Sequence, residues 1–270
     1  MASYKQVSSP IFLPLSLAEA KEHMRIIGVY DDTTVLALLQ AAAQKVQDYT
    51  WRPICQQSWE MHFDSVEIFT DVVLMVNKYP VISIDSVKYY NTSNELTTLD
   101  TAEYEVDIIS DPVRVKLLKK PLIKERFGAF VIAFKSGYMG YKGTSITPSG
   151  VSGNVLTSNN HGLVNNQPVI PTTKGASHLK ENGLYYVINA TTNTFQVSEL
   201  LGGSAATITG QITGLVMQGL TDCPSPIKSA IKLIMAHLYE HREDVVVGAS
   251  VAELPQASEY LLAPYVNKYY

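Results

Sequence analysis

The sequence predicts an α+β protein: a helical core with a small antiparallel sheet, plus an inserted all-β domain. Three observations predict it. Apolar residues recur at helical spacing near both ends of the chain. Residues 58–138 alternate apolar and polar side chains between turn residues, and residues 144–218 lose both their charge and any helical period.

The first helix is expected over 16–27. Ser16 and Glu19 fit an S-x-x-E capping box, which satisfies free N–H groups at a helix start. Leu17, Ala20, Met24 and Ile27 share one face, and Gly28 supplies the stop. The preceding run Ile11-Phe12-Leu13-Pro14-Leu15-Ser16-Leu17 is broken by Pro14, with Lys5 as the only basic residue before it. It reads as an ordered arm rather than a signal peptide. A second helix is expected over 32–50, capped by Asp31 or Asp32. Val35, Leu36, Leu38, Leu39, Ala42, Ala43 and Val46 give it a broad apolar stripe. Trp51-Arg52-Pro53 ends it, because proline disfavours helical backbone in the residue before it.

From Ser58 the period changes. Trp59, Met61 and Phe63 alternate with Glu60, His62 and Asp64. Further strand-like runs lie at 72–76, 81–90, 104–109, 113–117 and 130–134. Together they fit an antiparallel sheet of about five or six strands. Residues 144–218 hold only four charged side chains, Lys174, Lys180, Glu181 and Glu199. Short runs at 154–157, 167–170, 184–189, 194–197, 207–209 and 215–218 make this stretch a small all-β unit, with seams near Gly143 and Gly219. Pro226 then opens a third helix, expected over 226–247, on the stripe Ile227, Ala230, Ile231, Ile234 and Leu238. A tail follows over 249–270, with a short helical candidate around Ala257–Leu262. The expected organisation is a discontinuous core, 1–143 and 219–270, interrupted by an inserted β domain, 144–218.

Composition narrows the function. The 270 residues are 46% hydrophobic and 17% charged, which supports a real core and excludes wholesale disorder. A net charge of −4 disfavours a protein that wraps duplex DNA by neutralising phosphates, though not one that lets DNA slide past. Cys55 and Cys223 are too few for a disulfide scaffold and read as free thiols. No apolar run reaches the ~20 residues of a membrane helix.

The sharpest enzyme-like string is His237-Leu238-Tyr239-Glu240-His241, an H-x-x-E-H pattern that sets two histidines on one helix face for zinc. The third ligand is missing from the pattern, with only Glu243, Glu253 and Glu259 downstream, and the same helix turn borders the core residues Ile234 and Leu238. A core-bordering role is the stronger reading. There is no nucleophile elbow, phosphate-binding loop or dinucleotide fingerprint, and Gly150-Val151-Ser152-Gly153 reads as a turn. Neither catalytic residues, a cofactor nor a metal is assigned.

Four patches carry a family resemblance. They are Leu17-Ala18-Glu19-Ala20-Lys21 through Tyr49-Thr50-Trp51-Arg52; Lys78-Tyr79-Pro80-Val81 through Tyr89-Tyr90; Phe134-Lys135-Ser136-Gly137-Tyr138; and Cys223-Pro224-Ser225-Pro226-Ile227 through His237 to Glu243. In order and spacing the chain resembles the head–tail connector, or adaptor, proteins of long-tailed double-stranded DNA bacteriophages. That family often has Thr-Gly-Arg where this chain has Thr50-Trp51-Arg52, which leaves the tight turn there open. It often has Asp and Gly where Asn91-Thr92-Ser93-Asn94 stands, and usually lacks so large an insertion.

The resemblance implies a structural virion protein of the head–tail neck, assembled in the host cytoplasm. Its helical part would be a connector core. Copies would form a homo-oligomeric ring, usually a dodecamer, below the portal protein. The ring would extend the DNA channel, help retain packaged DNA and join the capsid to the next tail-side neck or tail protein. Double-stranded DNA would pass without sequence readout, and no membrane is involved. The candidate portal or subunit interface is Leu254, Tyr260, Leu261, Leu262, Tyr265, Val266, Tyr269 and Tyr270, since apolar and aromatic groups on so short a tail suit an interface; packing back on the chain's own helices is the alternative. The candidate channel or charged contact is the basic run Lys116, Lys119, Lys120, Lys124 and Arg126, whose plain reading is a solvated strand edge or loop. A different class, a virion-associated ligand- or carbohydrate-binding module acting through 144–218, is the second hypothesis.

Overall fold

A computed structural model describes residues 3–64, 73–209, 211–241 and 256–267. Helices and antiparallel sheets are both present, with 34% strand against 23% helix, so sheet rather than helix carries most of this α+β fold. The chain divides into two compact units, residues 1–10 with 51–138 and 267–270, and residues 11–50 with 139–266.

The first unit is built on β2 (Gln57–Phe63), whose residues alternate between buried and half-buried as the period-two pattern predicts. Its neighbours are β1 (Ser3–Ser8), β8 (Phe130–Ser136), β4 (Val81–Tyr90) and β5 (Leu96–Thr98), in the order β1-β2-β8-β4-β5. A second sheet orders β3 (Val73–Val76), β7 (Val113–Leu117) and β6 (Tyr104–Asp107) as β3-β7-β6. The single sheet expected over 58–138 is therefore two, sharing one core: Trp59, Met61, Phe63, Phe130, Ile132 and Phe134 meet Leu74, Val76, Val113, Val115 and Leu117. Alternation marks which face of a strand is buried but not which strands pair, and that is why the split was not legible. The sequence reading also lacked β1. Its residues Ser-Tyr-Lys-Gln-Val-Ser are mostly exposed, which an edge strand tolerates because only one side is paired.

Two turns in this unit bear on the departures from the family pattern. Trp51 adopts φ 57°, so the chain turns sharply there without glycine. The Lys78 ammonium lies 4.8 Å from the Trp51 ring centroid and 4.9 Å from that of Trp59, holding the side chain in place. Asn91 to Glu95 closes the β4–β5 hairpin, with Asn94 at φ 65° and its N–H on Asn91 O at 2.8 Å.

Among the described residues every α-helix belongs to the second unit. In α1 (Leu17–Met24) the capping box forms: Glu19 N–H donates to Ser16 Oγ at 3.0 Å, and Ser16 N–H to Glu19 Oε2 at 3.0 Å. The helix stops at Met24, earlier than the expected Ile27, because Arg25 turns left-handed at φ 55°. The N–H groups of Arg25 and Ile26 then bond back to Glu22 and Lys21. The second helix, α2 (Asp32–Thr50), buries Val35, Leu39, Ala42 and Val46. It packs against α3 (Ser225–Glu240), which buries Ile227, Ala230, Ile231, Ile234 and Met235 and in turn carries α4 (Gln256–Leu262). The third helix was expected to continue to 247; it ends at Glu240, where His241 leaves helical backbone at φ −111°, ψ 73°.

The unit's seven-stranded sheet contains β9 (Tyr141–Ile146), β10 (Gly150–Ser152), β11 (Val155–Thr157), β12 (Pro168–Thr173), β13 (Tyr185–Ile188), β14 (Thr194–Ser198) and β15 (Val216–Leu220), in the antiparallel order β10-β11-β14-β13-β12-β15-β9. Leu156, Val169, Val187, Phe195, Val197, Leu215 and Met217 fill its core. Residues 207–209, expected as a strand, form none; Ile208 N–H is held instead by the Asn154 side chain at 3.1 Å. Gly143 and Gly219, the expected seams, lie within β9 and β15, which pair with each other.

Candidate interface and the buried polar relay

The charged candidates sit on the first unit. Lys116 points outward from β7, directly across from Glu105 on β6 and Val73 on β3. Lys119 pairs with Glu103 at 3.0 Å, and the Arg126 guanidinium lies 3.7 Å from the Tyr90 ring centroid while donating to Asn94 Oδ1 at 3.1 Å. Lys120 and Lys124 stand exposed. The run is thus interleaved with carboxylates rather than forming one positive field, and that geometry weakens phosphate adhesion. Between the basic residues Leu118, Leu122 and Phe127 project into solvent, the last two more than four-fifths exposed.

The tail candidates separate. Leu262 is fully buried and Tyr260 is 79% exposed, while Leu261, Tyr265 and Val266 are half-buried. Leu254, Tyr269 and Tyr270 lie outside the described residues. The histidine pair of the H-x-x-E-H string stacks ring on ring, with centroids 4.5 Å apart, and His241 Nδ1 lies 3.1 Å from His237 O. Since His241 falls just past the helix end, the two rings are not set as adjacent helical ligands. Among the described residues no cluster of three or more His, Cys, Asp or Glu is placed to hold a metal ion; Glu243 and Glu253 lie outside them.

Sequence reasoning missed a buried polar relay in the second unit. Tyr186 on β13 is fully buried and donates its hydroxyl proton to Glu19 Oε2 at 2.9 Å. Lys228 on α3 donates to the same Tyr186 oxygen at 3.2 Å and to Asp222 at 2.6 Å. Ser16 completes the set, donating to the Glu199 carbonyl at 2.5 Å. One carboxylate therefore caps α1 and anchors that helix to the sheet. The two partners of the Tyr186 hydroxyl lie 167 and 42 positions from it in sequence, so no local motif announces them.

Cys223 lies beside this relay. Burial pushes its thiol up to about 12, opposed by the Lys228 ammonium and reinforced by Asp222. An unfolded thiol ionises near its ordinary 9.0 while the folded one stays protonated. The associated stability is complete below about pH 9 and is lost as pH rises from there towards 12. Cys223→Ser should flatten that alkaline loss in urea titrations at successive pH values. Cys55 is also buried. Thiol reagents at neutral pH should label neither cysteine until the chain unfolds.

Taken by itself the architecture is that of an α+β protein whose two sheet-based units are each built from separate stretches of the chain. No protein-family profile and no curated protein matches the chain. Solved structures do. A chain in the neck of an empty gene transfer agent particle with C6 symmetry is similar at 14% identity and TM-score 0.54, covering 98% of this chain and 95% of that one. A chain from the neck of the native particle with C12 symmetry matches at 14% identity and TM-score 0.52, with the same coverage. A chain from the virion of the native gene transfer agent particle matches at 13% identity and TM-score 0.52, again over 98% and 95%. The likeness is one of fold, and it spans both units.

Proposed function

We propose that the chain is a non-enzymatic structural protein of a bacteriophage-type virion neck. Copies form a ring below the portal protein that extends the DNA channel, helps retain packaged DNA and joins the capsid to the next tail-side component. The observation that carries this reading is end-to-end fold similarity to gene transfer agent neck chains, including the stretch 144–218, with nearly full coverage in both directions. The family patches read from the sequence point the same way, and twelve copies is the number they imply. In this reading 144–218 is a β domain inserted into a connector core formed by 1–143 and 219–270, and the half-exposed tail around Tyr260 docks on the portal or on a neighbouring copy.

The test is copy number per particle, measured on purified virions by quantitative mass spectrometry against the portal. A stoichiometry equal to the portal's, and a ring in averaged particle images, is the expected result. A single copy per particle, or absence from DNA-filled particles, overturns the reading.

A further inference from the structure

The turn between α1 and α2 exposes three apolar side chains almost completely: Ile27 is 98%, Val29 73% and Tyr30 100% exposed. Yet the turn is held from both sides. Lys21 donates to the Gly28 carbonyl and pairs with Asp32 at 2.6 Å, and the Tyr239 hydroxyl donates to Asp31 Oδ2 at 2.9 Å. The backbone bonds of Arg25 and Ile26 fix its start. An apolar knob kept rigid in water is preorganised for association, since little freedom remains to be lost on binding.

The same unit contains a cleft of about 460 Å³, within the range of roughly 300–1,000 Å³ typical of binding pockets. Leu179, Leu200, Ala205 and Ala206 share its lining with the polar His178, Tyr185, Ser198 and Thr207, Ala18 borders it from the first turn of α1, and the exposed Glu199 is part of its wall. Knob and cleft lie at opposite ends of α1, an eight-residue helix about 12 Å long. The knob therefore does not reach the cleft of its own chain. Arg25 beside the knob and Glu199 at the cleft are both exposed, and neither makes an ion pair among the described residues.

We propose that the Ile27–Tyr30 knob of one copy seats in the cleft of the next, with Arg25 meeting Glu199 across the contact. Two different patches joined in this way make a heterologous contact, the kind that propagates head to tail and closes into a ring when the rotation permits. The inference rests on the ring reading and names the surfaces that would build the ring.

The full-length chain carrying Tyr30→Cys and Ala205→Cys, assembled into particles and mildly oxidised, tests it. A ladder of reducible multimers is expected, with each single variant running as monomer. A second measurement uses charge. Arg25→Glu and Glu199→Arg should each weaken self-association by roughly tenfold to a hundredfold, and the double swap should restore it, a rescue that misfolding does not produce. Particles with normal copy number that give neither ladder nor rescue overturn this contact while leaving the ring intact. Particles holding a single copy overturn the ring and this contact together.

Discussion

Gly137→Ala should destabilise the first unit by about 3–5 kcal/mol, combining strained backbone with overpacking. Gly137 follows the last residue of β8 at φ 145°, a conformation that side chains other than glycine rarely adopt. A Cβ added there would lie 2.6 Å from the Cys55 carbonyl carbon and 2.7 Å from Gln56 N. Those are backbone atoms, and they have nowhere to go. Gln57, the next residue, is already in register with Ser136 at the start of the β2–β8 ladder, and Gly137 N–H is fixed on Pro80 O at 2.9 Å. Urea unfolding followed by tryptophan fluorescence reads the effect, since Trp59 sits in the core of this unit. A loss under 1 kcal/mol would show that the crossing relaxes without breaking the ladder.

The second large effect is expected at Tyr186. Tyr186→Phe keeps the ring and removes the hydroxyl that joins Glu19 to Lys228. A hydrogen bond to a charged group contributes roughly 1.5–3 kcal/mol, and a loss in that range is expected at pH 7. Burial first, and the Glu19 carboxylate second, push the tyrosine's ionisation far above its ordinary 10. In the unfolded chain it ionises near 10, so the wild-type stability tied to this group is whole below pH 10 and falls as pH rises beyond it. The phenylalanine variant lacks that slope, and the two stability curves should converge in alkali. Parallel curves across pH 9–11 would show that the hydroxyl does not resist ionisation in the folded state.

Much of this architecture was readable in the residues themselves. The capping box at Ser16 and Glu19, the stripe Val35, Leu39, Ala42 and Val46, and the alternation through Trp59, Met61 and Phe63 are local patterns, and each forms as its spacing demands. What escaped was backbone geometry and long-range pairing. Glycine at 28 looked like the helix stop, but Arg25 took the left-handed position three residues earlier because the backbone bonds to Lys21 and Glu22 closed there. The polar strand β1 carries no apolar period and exists only through its partner β2. The candidate surfaces follow the same rule. The basic run at 116–126 was visible as charge, but not that Glu103 and Glu105 would face it. Ile27 counted as the end of an apolar face until the early helix stop left it in solvent.

The order in which the chain is made adds a further consequence of its division into two units. Residues 11–50 lie in the second unit, yet the partner helix α3 begins only at Ser225. The apolar stripe of α2 is finished at Thr50 and must wait for roughly 175 residues before α3 is synthesised. At about 5–20 residues per second that interval is on the order of ten to thirty-five seconds. The intervening residues 51–138 supply the strands of the other unit, which can pair while the helices still lack their partner. Synthesis therefore favours a half-folded nascent chain with one sheet unit formed and two amphipathic helices uncovered, a natural client for a ribosome-associated chaperone.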